Sequence, residues 1–184
     1  QHISTLTGML LDHLVQKTET YPLTQEMRRT ISMASVLHDI GKMEIGEQVL
    51  NSPEPRTPED EEIMRQHTLL GARMLEELDV YRDEDFVRVA CEICRWHHER
   101  YDGSGYPDQL VGEQIPIAAQ VVGLADAYET LTTGSGSQPP VPCAAAVQML
   151  CTGEAGAFNP VLLDCLREIE NEIDDAMRRR PETL

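Results

Sequence analysis

Apolar positions recur every three or four residues through most of this chain, and no strand pattern or internal repeat stands out. Leu6, Met9, Leu10 and Leu14 mark a first helix between Ile3 and Leu14, with His2, Leu6, Met9 and His13 along one face. Thr24 is placed to cap a second helix, in which Met27, Ile31, Ala34 and His38 share a face before Gly41 stops it. Residues 43 to 58 hold three prolines and a glycine and read as a loop. Thr57-Pro58-Glu59-Asp60 then offers a cap, a first-position proline and acids for a first turn, and Ile63, His67, Leu70 and Met74 are expected to line the inner face. A polar stretch from Asp79 to Asp85 leads to a helix whose stripe of Val87, Ala90, Cys91 and Cys94 runs on to His97 and His98. That helix should end at its histidines, because Gly103, Gly105 and Pro107 cannot continue it. Ile117 to Leu131 reads as another apolar helix with one buried acid, Asp126, followed by a flexible linker from Gly134 to Pro142. Asn159-Pro160 starts a last helix with Phe158, Leu162, Leu166, Ile169 and Ile173 on its apolar side. The expectation is an all-α single domain over residues 1–184, excised from a longer protein because a helical pattern is already running at Gln1.

Composition sharpens this. With 2 Phe and 1 Trp, the core must be filled by aliphatic residues, which suits helix packing. A net charge of −17 excludes the basic surface that a DNA or RNA polymer requires. No apolar run approaches the ~20 residues that cross a bilayer, and no signal-peptide layout is present, so no membrane insertion and a cytoplasmic location are expected. The 5 cysteines lack framework spacing and read as reduced thiols. Cys91 and Cys94 are spaced like a redox pair, but their place on an apolar face favours packing. Arg178 to Arg180 reads as a solvated tail.

Four helices each bring a histidine or aspartate to an apolar face: His38 with Asp39, His67, His97 with His98, and Asp126. One such histidine is ordinarily a satisfied core residue. Six ionisable groups together are costly to bury without partners, and one or two shared cations satisfy them economically. Imidazole and carboxylate without thiolate suit iron, manganese or zinc better than calcium or magnesium. His2 and His13 stand roughly 16 Å apart along their helix, so they cannot both serve one compact site.

HDIGK at His38 to Lys42, then His67, HHERYDGSGYP at His97 to Pro107 and Asp126 within GLADAYETL resemble the HD-GYP family of HD metal-dependent phosphohydrolases. Ile115-Pro116 and Phe158 to Pro160 extend the resemblance over nearly the whole chain. It implies an HD-type helical bundle and hydrolysis of cyclic di-GMP to pGpG or GMP by a metal-activated water. Carried over by position, His2, His38, Asp39, His67, His97, His98 and Asp126 are metal ligands, with Asp39 bridging two transition-metal ions. Iron or manganese leads, with zinc or nickel as alternatives; a third ion would need a glutamate one turn ahead of His2. Asp39 and Lys42 are the catalytic candidates, and Lys42, Arg100, Gly103, Tyr106 and Pro107 the substrate-binding ones. The glycine-rich loop is also a candidate contact for other signalling domains. Where the family usually has a basic segment of the RPYR type, this chain has Gly134-Ser135-Gly136-Ser137-Gln138. Two rival readings follow: a binding module without turnover, and an enzyme acting on cyclic GMP-AMP or another nucleotide.

Overall fold

The computed structural model describes residues 2–53, 56–78, 84–135 and 138–178, and among them are helices and turns with two isolated bridges, Asp102–Val111 and Ser135–Gln138, and no strand. The expected all-α class holds. Helix α1 (His2–Lys17) runs through the middle of the bundle and packs against α2 (Gln25–Ala34), α7 (Ile117–Thr133) and α9 (Pro160–Glu168). Its Leu10, Leu11 and Leu14 are fully buried, each contributing about 1.5–3 kcal/mol of hydrophobic stabilisation. Thr24 caps α2 by accepting from the Met27 amide at 3.2 Å, as its residue type predicts.

The second helix does not run to Gly41. It stops at Ala34, and the chain tightens into two 3₁₀ turns, Ser35–Leu37 and Ile40–Glu44, with His38 and Asp39 between them. The stretch expected to be loop holds a short helix, α3 (Glu47–Leu50). Thr57 caps α4 (Pro58–Arg65) through the Asp60 amide at 3.1 Å, but the expected continuous helix breaks at Gln66 and resumes as α5 (His67–Glu76). That break rotates the inner face: His67, Thr68, Gly71, Ala72 and Leu75 are buried, whereas Ile63 is 39% exposed.

Helix α6 (Asp85–Trp96) buries Val87, Ala90, Ile93 and Cys94 against α2, α5 and α7, and His97 is its C-cap. Cys94 donates to the Leu37 carbonyl and Cys91 lies partly buried near the Ala72 carbonyl; both are free thiols that pack rather than pair. Helix α7 is buried on nearly every face from Ala118 to Ala125. Gly134 ends it, and the Val141 amide returns to the Leu131 carbonyl at 2.9 Å, so the described part of the expected linker folds back on α7. Helix α8 (Cys143–Thr152) has no counterpart in the periodic pattern. The last apolar stripe is split at Ile169 into α9 and α10 (Glu170–Arg178), with Phe158, Leu162, Leu166, Ile169 and Ile173 all buried. Most of the polar stretch at 79–85, residues 136–137 of the linker, and Arg179 and Arg180 of the arginine tail lie outside the described residues.

No helix among the described residues is long and apolar enough to cross a membrane.

Candidate metal centre

Three chain reversals converge on one point. His38 and Asp39 come from the two 3₁₀ turns, His67 from the start of α5, and His97 with His98 from the end of α6. Two glycines allow the approach. A Cβ on Gly41 would lie 2.0 Å from the His67 carbonyl oxygen, and one on Gly123 would lie 2.3 Å from that of His97. Only hydrogen fits at either place, so the HDIGK turn closes onto α5 and α7 closes onto the end of α6. Asp126, one turn beyond Gly123, is thereby brought to His38.

The ring orientations follow from hydrogen bonds to main-chain carbonyls. His38 Nδ1 bonds the Ser35 oxygen at 2.8 Å, His67 Nδ1 that of Met64 at 2.6 Å, and His97 Nδ1 that of Ile93 at 2.9 Å. A carbonyl only accepts, so each Nδ1 carries the proton and, in the neutral ring, each Nε2 presents a lone pair inward. His67 Nε2 faces Asp39 Oδ1 at 3.2 Å and His97 Nε2 faces it at 3.9 Å. All three atoms are buried without a hydrogen-bond partner. Lone pairs set against a carboxylate oxygen in a buried site repel one another, and a cation between them resolves the conflict. Ligand atoms of Asp39, His67, His97 and His98 lie within 4.8 Å of one another, the spacing of donors around a single ion. The other carboxylate oxygen, Asp39 Oδ2, faces His38 Nε2 at 3.4 Å and Lys42 Nζ at 2.6 Å, and His38 Nε2 also lies 3.5 Å from Asp126 Oδ1.

Protonation follows the same division. Burial lowers the His97 pKa to about 4, reinforced by His38, and pushes His98 well down with help from His97 and His67, so both are neutral at pH 7 and able to coordinate a cation. Burial opposes charge on His38 too, but Asp126 and Asp39 outweigh it and push its pKa up to about 10. Burial likewise works to raise Asp39, yet His38 and Lys42 hold its carboxyl far below the usual range. Asp126 is also held low, by His38 against burial. The residues therefore fit divalent cations, whose binding would compete with the proton on His38.

A cavity of about 510 Å³ opens beside this cluster. Asp39, Lys42, His98 and Asp126 line it, together with Leu50, Asn51, Ser52, Arg56, Thr130 and Ser135. The loop residues of this wall carry no periodic signal, and a reading based on periodicity passes over them. Ser135 shows that the segment at Gly134 to Gln138 does reach the cavity, without bringing a cation.

Other candidates fall elsewhere. His2 is not gathered with the rest: it lies near Glu129, at 3.8 Å, and borders a different cavity with Leu6, Tyr128 and Asp174. His13 is bonded to Glu168 at 2.7 Å near the other end of α1. Arg100 does not line this cavity; it donates to the Glu99 carbonyl at 3.1 Å and stacks over Phe158, which braces the loop. Gly103 sits in the bend beside the Asp102–Val111 bridge and does not line the cavity. Tyr106 stacks on His98 with ring centroids 4.9 Å apart and, with Pro107, borders a separate groove containing Arg65 and Leu69. The peptide bond between these two residues is cis. Glu99, which sequence reasoning missed, is buried and accepts the amides of Asp108 at 2.7 Å and Leu110 at 3.0 Å, fixing the loop that follows the two histidines.

Comparison with known proteins places this geometry. The family described as HD domain matches residues 4–161. A cyclic di-GMP phosphodiesterase of Thermotoga maritima is 35% identical over 81% of this chain and 39% of its own length. The cyclic di-GMP phosphodiesterase response regulator RpfG of Xanthomonas campestris is 36% identical over 80% of this chain and 38% of its own. The chain thus spans less than half the length of these relatives. Bd1817, an HDG"Y"P protein from Bdellovibrio bacteriovorus, has the same fold, with a TM-score of 0.64 at 21% identity, covering 96% of this chain and 51% of that one.

Proposed function

Because the chain belongs to the HD domain family, we propose that it is a metal-dependent phosphodiesterase of the HD-GYP type that cleaves a cyclic dinucleotide, with cyclic di-GMP as the first candidate. The observation that carries this is the set of buried, unpartnered atoms, Asp39 Oδ1, His67 Nε2 and His97 Nε2, turned on one another beside an open cavity. Similarity to two cyclic di-GMP phosphodiesterases over four-fifths of the chain supports the substrate class.

In this reading Asp39 is shared. Asp39, His67, His97 and His98 would hold one ion, and Asp39 with His38 and Asp126 would hold a second. Iron or manganese is the first choice for both, since imidazole and carboxylate donors suit these ions. Such ions supply Lewis acidity to a phosphoryl oxygen and lower the pKa of water towards ~7. The chain's own residues do the rest. The Nδ1–H bonds to Ser35, Met64 and Ile93 hold three rings in register. Lys42, held by Asp39 at 2.6 Å, presents an ammonium to the cavity, where it offsets phosphate charge or gives a proton to the departing ribose oxygen. The ring of Tyr106 backs His98 and keeps it from swinging. The groove at Tyr106 and Pro107, about 370 Å³, is the place we assign to other signalling domains.

A binding module without turnover is the second reading, favoured by the uncharged Ser135 in the cavity wall. Protein reconstituted with Mn²⁺ or Fe²⁺ should be incubated with cyclic di-GMP, cyclic GMP-AMP and linear nucleotides, and the products separated by chromatography. Conversion of cyclic di-GMP to pGpG or GMP supports the proposal. Cleavage of another nucleotide alone reassigns the substrate, and tight binding without cleavage establishes the second reading.

A further inference from the structure

We propose that Glu99 is a positioning residue for the metal centre: by pinning the loop that carries Tyr106, it holds the His98 ring in the pose that takes an ion. The inference rests on the metal-centre part of the reading above and not on the identity of the substrate. His98 differs from the other three histidines. Main-chain carbonyls fix the rings of His38, His67 and His97 through Nδ1. No described carbonyl is bonded to the ring of His98, which instead lies against Tyr106 with centroids 4.9 Å apart and 23° between the planes. Its other ring neighbours, His67 and His97, belong to the same donor set. The pose of His98 therefore depends on what holds Tyr106.

Tyr106 is located from both sides. Before it, Gly105 is pressed onto the turn after α6: a Cβ there would lie 2.5 Å from the His98 carbonyl oxygen and 2.4 Å from the Arg100 amide nitrogen. The Tyr106 amide donates to the His98 carbonyl at 3.3 Å, and the Arg65 guanidinium lies over the ring at 5.0 Å. After it, the buried Glu99 carboxylate accepts the Asp108 amide through Oε1 at 2.7 Å and the Leu110 amide through Oε2 at 3.0 Å. Both oxygens are committed to charge-assisted bonds, so Asp108, two residues beyond Tyr106, cannot shift without breaking one of them. Groups behind a metal ligand tune its affinity by fixing its orientation. Glu99 does so for His98 at one remove, through the loop and the Tyr106 ring.

The test strips the protein of metal and titrates it with Mn²⁺ by calorimetry, which needs no substrate. Glu99→Gln has nearly the same shape but turns an NH₂ group against one of the two amides, while Asp108 stays tied to Arg95 and Trp96 at 2.7 Å each. The loop is thus loosened without being released. Glu99→Gln and Tyr106→Leu should each weaken Mn²⁺ at one of the two sites by roughly 10- to 100-fold. Tyr106→Phe, which keeps the ring, should bind as the wild type does. So should Gln114→Ala, which removes the side-chain acceptor of the Val111 amide, at 2.9 Å, from the same loop beyond the Glu99 contacts. Because Glu99 acts through Tyr106, the double variant Glu99→Gln/Tyr106→Leu should lose no more than the worse single one. A Glu99→Gln Kd equal to that of Gln114→Ala, or additive losses in the double variant, overturns the inference and leaves the metal centre standing. If Glu99→Gln fails to fold, the Tyr106 pair decides, and equal Kd values for Tyr106→Leu and Tyr106→Phe overturn it. A wild type that binds no Mn²⁺ overturns the metal centre and this inference together.

Discussion

Replacing Gly123 with alanine tests whether the close contact between α7 and the end of α6 sets the geometry of the metal centre. An added Cβ would sit 2.3 Å from the His97 carbonyl oxygen and 3.3 Å from its carbon. Restoring an ordinary contact of about 3.5 Å requires the two helices to part by roughly 1 Å. Alanine gains about 0.5–1 kcal/mol over glycine in a helix interior. Against that stands an overpacking cost of about 1–3 kcal/mol, and the high end applies because both neighbours are backbone in a helix whose Val121, Val122, Leu124 and Ala125 are fully buried. The net loss should be about 2–2.5 kcal/mol, which lowers Tm by roughly 4–10 °C at this chain length. The same displacement carries Asp126 away from His38, now 3.5 Å distant, and a misplacement of about 1 Å at a reacting centre costs on the order of 100-fold in rate. Gly8→Ala is the counterpart. Its Cβ, in the interior of α1, would meet Ser32 Oγ of α2 at 3.4 Å, an ordinary contact, so it should raise Tm by a few degrees. Thermal melts of the two variants, with metal content measured on each, decide the matter. A Gly123→Ala protein that melts at or above the wild type with full metal content would refute the argument.

Asp39→Asn should lose most bound metal and all turnover, because one carboxylate faces both donor sets; two equivalents of metal retained in elemental analysis would end the bridging role. Lys42→Met should keep its metal and lose 10²–10⁴-fold in kcat, and an unchanged kcat would remove Lys42 from the reaction. His2→Ala and His13→Ala should both leave the metal content of the Asp39 cluster unaltered, since His2 sits by Glu129 and His13 by Glu168; loss in His2→Ala alone would restore the ligand role that the resemblance implied. In metal-free protein, His97 titrates near 4 folded against 6.5 unfolded, so the unfolded chain binds more protons between these values and stability falls as pH drops from 6.5 towards 4. His97→Gln should flatten that decline in melts taken across the window, and an unaltered slope would assign it to other groups.

Much of the fold was legible because its signals are local. Thr24, Thr57 and Asn159 act as caps because a side-chain oxygen three or fewer residues from an unsatisfied amide needs no tertiary partner. The breaks at Ala34 and Gln66 were not legible. They flank the place where the Gly41 backbone presses against the start of α5, a contact between segments that periodicity treats separately. Helix α8 escaped because its buried residues, Ala146, Val147 and Leu150, are few and follow a stretch of glycine, serine and proline. His2 was aligned by resemblance at the very start of the chain, where nothing in its spacing locates it relative to α7.

The centre itself shows how far local chemistry reaches. His38 bonds the Ser35 carbonyl with both its amide, at 3.2 Å, and its ring Nδ1, at 2.8 Å; His97 does the same to Ile93, at 3.0 and 2.9 Å. A carbonyl oxygen has two lone pairs, so a histidine in the last turn of a helix can satisfy both and is locked in one rotamer. With Nδ1 so committed, Nε2 can only point outward along the direction in which the helix ends. A histidine at a helix C-terminus is therefore a readable sign of an aimed ligand, and several of them predict aimed ligands without saying that they share a target. The shared target is set by what lies between the elements. Without hydrogen alone at Gly41 and Gly123, the three ends would stand apart, and the lone pairs that now face Asp39 across 3.2 to 3.9 Å would each find water instead.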